Sequence, residues 1–144
     1  MIFLTIADLR SKIKTNVLSD SLELTNVITP NNELLTMVEK DSIEMLKIYL
    51  SNIYDTNSFL QQTGEDRNRV IVNILCDMVI YELLSRITTD IIPEVIENKY
   101  NKTMQLLKDI RDQKVSLNIP QKNLNYDSWG GMVWHSDKKN HYDY

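Results

Sequence analysis

Glycine is scarce in this chain, with three residues in 144. So few cannot build a glycine-rich phosphate loop, which removes the nucleotide-binding motifs that depend on one. A single cysteine, Cys76, excludes an internal disulfide and any site made from cysteine pairs. It sits in an apolar run, as expected of a buried, reduced thiol in an intracellular product. Neither an HExxH helix nor a carboxylate-rich calcium loop is present. Positive charge is also short: 16 Lys and Arg face 20 Asp and Glu, for a net charge of −4. That leaves no basic footprint for adhesive binding to nucleic acid. An unbroken hydrophobic run is missing too. The longest candidate, "RVIVNILCDMVIYELLSRI" at 69–87, is interrupted by Asn73, Asp77, Glu82 and two arginines. Each mid-membrane charge costs roughly 2.5–3.5 kcal/mol on insertion scales, so a buried helix of a soluble domain is expected and no membrane partner. The opening "MIFLTIADLRSKI" has too short an apolar stretch for a signal peptide, and no small-residue cleavage site follows it.

What is present is helical periodicity. Thr5 and Asp8 form a capping-box variant before a short helix over 5–14, with Ile6, Leu9 and Ile13 on one face. A connector from Ser19 to Asn32 carries the apolar anchors Leu22, Leu24 and Ile28. Thr29, Asn31 or Asn32 can cap the next helix, predicted over 32–54. Its stripe reads Leu35, Val38, Met45, Tyr49 and Ile53, flanked by Leu34, Leu46 and Leu50, with "EKDSIEMLK" as the solvated face. "DTNSFLQQTGED" reads as a loop, with Thr63 and Asp66 available to cap a helix over 66–87. That helix is apolar nearly all round, at Val70, Ile71, Ile74, Leu75, Met78, Val79, Leu83 and Leu84 among others, so it belongs at the centre of a bundle. Pro93 fits the first turn of a fourth helix ending near Gln113, whose inner face is Val95, Ile96, Tyr100, Met104, Leu107 and Ile110. Val115, Leu117 and Ile119 then alternate with polar residues as a short strand does, before Pro120 stops the pattern. The fold class expected is all-α: a bundle of about four helices around a central buried one, over residues 1–114, followed by a short strand and an extended C-terminal arm over 115–144.

The body offers no nucleophile–base pair. Asp77 is its most unusual charge, i+4 from Asn73 on the central helix; burying it unpaired would cost several kcal/mol, so it is expected to hydrogen-bond to neighbouring groups. Tyr49, Tyr54, Tyr81 and Tyr100 read as core packing with hydroxyls at the rim. His135 and His141, with Asp137 and Asp143 nearby, have metal-binding groups, but an arm does not pre-organise them, and no metal or cofactor is expected.

The arm is the anomaly. Disordered tails are normally poor in aromatics. This one holds Tyr126, Trp129, Trp134, Tyr142 and Tyr144, with Met132 and Val133. Tryptophan and tyrosine dominate interface hot spots. Ordering each residue costs roughly 1–2 kcal/mol of backbone entropy, which spread aromatics offset only by burying against something large. Extended, the arm after Pro120 spans at most about 80–90 Å. Partner or subunit binding is therefore assigned to Val115, Leu117, Ile119, Tyr126, Trp129, Met132, Val133, Trp134, Tyr142 and Tyr144.

The order and spacing of "LTIADLRSKI", "SLELTNVITPNNELL", "YLSNIY", "ILCDMVIYEL", "PEVIENKYNKTMQLLKDI" and "VSLNIP" resemble the head–tail adaptor, or head-completion, proteins of tailed bacteriophages, especially the Mu-like group. The resemblance covers about residues 3–119. It implies a helical bundle that assembles with copies of itself into a ring, commonly twelve-fold, under the portal protein. Such a ring extends the DNA channel and docks neck or tail proteins, duplex DNA passing through without specific binding. It implies no enzyme activity and a place in the virion neck after synthesis in the bacterial cytoplasm. Turn glycines usual in the family are few here, with "DQK" where the last helix might end in glycine, and the aromatic arm runs past the matched part. A different class of protein also fits the aromatic arm: a small helical regulatory protein that binds one host or viral partner in a one-to-one complex.

Overall fold

The computed structural model describes residues 1–14, 28–29, 32–87 and 92–122. Among the described residues five helices appear in the order α1 (Ile6–Lys14), α2 (Glu33–Leu50), α3 (Thr56–Leu60), α4 (Arg69–Ile87) and α5 (Glu94–Arg111), with a 3₁₀ turn at Gly64–Asp66 before α4. The fold is an all-α bundle. Helix α4 packs against α1, α2 and α5, and α2 also packs on α5, so α4 is the central element its all-round apolarity predicted. Ten of its residues are buried, from Ile71 to Leu84, whereas Val70 is exposed. Burying each large aliphatic side chain contributes roughly 1.5–3 kcal/mol, so this helix anchors the core.

The termini of the helices follow from their caps. Asp8 N–H donates to Thr5 Oγ1 at 3.2 Å and Thr5 N–H donates to Asp8 Oδ2 at 2.9 Å, the reciprocal box expected for α1. Asn32 Oδ1 accepts from Leu35 N–H at 3.1 Å and starts α2. For α4 the cap is Asn68, whose Oδ1 accepts from Val70 N–H at 2.9 Å; Thr63 makes no side-chain cap bond, and Asp66 lies in the 3₁₀ turn. Pro93 sits one residue before α5, and its carbonyl accepts from Ile96 N–H at 2.9 Å.

Three expectations are corrected. The segment expected to be a loop contains α3, capped by Asp55 Oδ1 on Ser58 N–H at 3.2 Å and pinned by the fully buried Phe59. Helix α2 ends at Leu50 rather than residue 54, and its buried stripe is Leu35, Val38, Glu39, Ser42, Ile43, Leu46 and Leu50. Met45 is exposed, while Glu39, assigned to the solvated face, has no solvent exposure. On α5 the buried residues are Ile96, Thr103, Leu107 and Ile110; Tyr100 and Met104 pack at the edge of the core and Val95 is exposed. Of the connector anchors, Ile28 is buried in the core; Leu22 and Leu24 lie outside the described residues.

Polar chemistry at the N-terminal segment explains the burial of Glu39. Its carboxylate accepts from the backbone N–H groups of Ile2, Phe3 and Leu4 at 2.6, 2.8 and 2.7 Å. Those three donors precede α1 and have no helical partner, so the carboxylate replaces the water they would otherwise need. On the other side, buried Arg67 donates to Phe3 O at 2.9 Å and to Asp8 Oδ2 at 2.7 Å, and its guanidinium lies 5.7 Å from the centre of the Phe3 ring. The first residues are thus clamped between α2 and the turn that enters α4, and Phe3 and Leu4 complete the core.

Candidate interaction surface

The far end of the bundle, where α2 and α5 both finish, holds the described part, residues 115–122, of the segment assigned to partner binding. Helix α5 stops at Arg111, and Gln113 follows with φ of 59°. Lys114 N–H then donates back to Asp109 O at 2.8 Å, closing the helix with a left-handed residue in the place glycine usually fills. This reversal turns the chain back across the bundle.

The residues Val115, Leu117 and Ile119 form no strand. They follow an irregular path, and the extended-type pairing nearby is an isolated antiparallel bridge between Tyr54 and Gln121, just after them. Around that bridge Asp55 N–H donates to Pro120 O at 3.0 Å and Lys122 N–H donates to Ile53 O at 2.9 Å. Leu117 N–H donates to the hydroxyl of buried Tyr54 at 2.8 Å. Leu117 and Ile119 pack on the chain's own core, whereas Val115 is exposed. The alternation that resembled a strand instead places two anchors on the body, because Tyr54 and the 53–55 backbone supply the hydrogen bonds a strand partner would. A cleft of about 340 Å³ lies beside this crossing, bordered by Asn52, Tyr54, Gln113, Val115, Gln121 and Lys122. The remaining assigned residues, Tyr126, Trp129, Met132, Val133, Trp134, Tyr142 and Tyr144, lie outside the described residues, as do His135 and His141.

The tyrosines expected in the core divide. Tyr54 is buried; Tyr81 and Tyr100 stack with ring centres 4.0 Å apart at 13°; Tyr49 packs beneath the Arg111 guanidinium at 5.8 Å. Burial, followed by the nearby Glu82 charge, pushes the Tyr100 hydroxyl above its ordinary pKa. Asp77 is held as expected: Lys12 Nζ lies 3.0 Å from Oδ1 and Thr103 Oγ1 donates to Oδ2 at 3.3 Å, joining α1, α4 and α5. Asn73, four residues before it on the same helix, is exposed. Burial raises the Cys76 thiol to about 12, which makes it chemically quiet at neutral pH.

An exposed apolar stripe on α2 was not foreseen. Met37 and Ile48 lie within about 20° of each other around the helix, with Met45 beside them, since eleven residues complete almost three turns. All three are exposed, Ile48 at 68%. Met1 and Met37 continue the stripe along a shallow hollow of about 390 Å³ that also includes Glu33, Thr36 and Lys40. The signal was available in the sequence, but Met45 fitted the core face equally well.

Among the described residues no group of three or more His, Cys, Asp or Glu is placed to hold a metal ion, and no helix is long and apolar enough to cross a membrane. No curated protein and no solved structure matches the chain. A family model does: that of bacteriophage Mu Gp36, over residues 3–135. The match runs beyond residue 119, where the sequence resemblance stopped, and takes in Tyr126, Trp129, Met132, Val133 and Trp134. With nearly the whole sequence inside that pattern, the chain belongs to the bacteriophage Mu Gp36 family.

Proposed function

We propose that this protein is a structural component of a phage particle, the adaptor that joins head to tail. Copies of it form a ring beneath the portal, extend the DNA channel, and present a docking surface to neck or tail proteins. The observation that carries this reading is the family match over residues 3–135, which spans both the helical body and most of the aromatic arm. The geometry supports it in two ways. A small body clamped at both ends suits a subunit that is stacked and loaded without deforming. The last described residue, Lys122, is held at a fixed point on that body by its bond to Ile53. In a ring every subunit has identical neighbours, so arms that leave at the same point engage equivalent sites on each. Trp129 and Trp134 are the anchors assigned to those sites.

The acidic balance of the chain suits a channel through which DNA slides. A net charge of −4 per subunit, multiplied around a ring, repels phosphate rather than gripping it. The test is reconstitution with the portal protein encoded by the same phage, followed by electron microscopy. The adaptor reading expects a ring of this chain seated on the portal, lost when the arm is removed, and no retention of duplex DNA at physiological salt. A full-length chain that ignores the portal and forms a one-to-one complex with another protein would refute it.

A further inference from the structure

We infer that in the free subunit the C-terminal arm covers the exposed α2 stripe of its own chain, with Trp129 or Trp134 against Met45 and Ile48. The inference concerns the unassembled chain and stands apart from the ring proposal.

The first ground is where the described chain ends. Lys122 donates from its backbone to Ile53 O at 2.9 Å and from its side chain to Ser51 O at 3.4 Å. The arm therefore starts beside the C-terminal end of α2, one turn from Ile48. The second ground is reach. Twenty-two residues follow Lys122, and Trp129 and Trp134 stand seven and twelve residues along. At about 3.3 Å per residue those side chains reach up to about 23 and 40 Å from the exit point. The whole stripe, from Ser51 back to Met37, is about 21 Å long at 1.5 Å per residue. A tether this short gives an effective concentration near the millimolar range, which a second molecule in dilute solution does not match.

The third ground is chemistry. The stripe is two thioethers and a branched aliphatic, Met37, Met45 and Ile48, with Met1 beyond. Methionine sulfur pairs favourably with aromatic edges and adapts its shape to them. The arm supplies the matching aromatics. The charges within the stripe are already engaged, Asp41 with Arg86 at 3.0 Å and Glu44 with Lys47 at 2.7 Å, so an apolar occupant need not leave them unpaired.

The chain provides its own reporter, because both tryptophans lie in the arm and the body has none. The test measures tryptophan emission and acrylamide quenching of the full chain across a dilution series, for the wild type, Ile48→Glu, and Met45→Glu/Ile48→Glu. Val95→Glu, at an exposed apolar position on α5, is the control. The expected result is wild-type emission to the blue of a free indole, independent of concentration. Both stripe variants then shift to the red and are quenched severalfold more readily, while the control does neither. Far-ultraviolet circular dichroism confirms that each variant folds. Solvent-like emission in the wild type overturns the inference, as does a blue-shifted emission that the stripe variants leave unchanged. Protection that appears only as concentration rises assigns the stripe to the arm of a second copy and overturns the intramolecular assignment.

Discussion

Replacing Glu39 with glutamine should destabilise the protein by about 1.5–3 kcal/mol, although the change is isosteric and removes one charge from an already acidic chain. Oε1 of Glu39 accepts from both Phe3 and Leu4 N–H, and Oε2 accepts from Ile2 N–H. In Glu39→Gln the amide oxygen can serve one side of this cradle only. The amide nitrogen then faces a backbone donor, so one hydrogen bond is lost and the others lose their charge assistance. Hydrogen bonds to charged groups contribute roughly 1.5–3 kcal/mol each, and stranding a buried donor costs about 1–3. The N-terminal segment can peel away to limit the penalty, but doing so exposes Phe3 and Leu4, whose burial is worth about 1.5–3 kcal/mol apiece. Exposing both would cost about 3–6 kcal/mol, more than the broken cradle, so the segment is expected to stay docked and the loss to stay near 1.5–3 kcal/mol. Glu44, exposed on the same helix, serves as the control, since surface substitutions stay within about 0.5 kcal/mol. Urea denaturation gives the stability change, and amide exchange at Phe3 and Leu4 shows whether the segment has come loose. A Glu39→Gln protein as stable as the wild type, with those amides still protected, would refute the reasoning.

Asp8 gives a pH-dependent prediction. Burial alone would raise its carboxyl, but the hydrogen bonds from Arg67 and Thr5 and the guanidinium charge outweigh it and hold the pKa below the ordinary 3.8. A depressed carboxylate stabilises the fold above its unfolded pKa and ceases to as pH falls through the folded one. Asp8→Asn should therefore lower stability at pH 7 and flatten the loss of stability below about pH 4 relative to wild type, read by denaturation at a series of pH values. At Gln113, φ of 59° strains a residue with a Cβ; Gln113→Gly should raise stability by up to about 1 kcal/mol, set against glycine's greater unfolded-state entropy, with a matching rise in thermal midpoint. Cys76, with its thiol at about 12, should resist alkylation at neutral pH in the folded protein and react at a rate that tracks unfolding as urea is added.

Much of the bundle was legible because it follows from short-range pattern. The all-round apolarity of 69–87 marked the central helix, Thr5 and Asp8 marked one helix start, and Asn32, one of three candidate caps, proved to mark another, since each cap acts within three residues. What escaped was long-range. Glu39 sits in a charged run and reads as solvated; its partners are backbone N–H groups 35 to 37 positions upstream, and a backbone donor leaves no trace in residue identity. Arg67 is likewise buried by an acid 59 residues away. Val115, Leu117 and Ile119 alternate as a strand would, yet Tyr54 and the 53–55 backbone bind the following segment first, a tertiary choice that period alone does not encode. The family pattern reached through Trp134, past the last piece recognisable by order and spacing.

The central claim is assembly through the arm, and native mass spectrometry of two chains tests it most directly. One is the full chain; the other ends at Lys122, which keeps the hydrogen bonds to Ile53 and Ser51 that hold the crossing in place. Both are measured over a range of concentrations, alone and with the portal protein. Assembly through the arm requires a closed ring of the full chain, alone or on the portal, and a folded monomer that joins neither when the arm is gone. A truncated chain that still enters the ring, or a full chain that stays monomeric with the portal present, would contradict it.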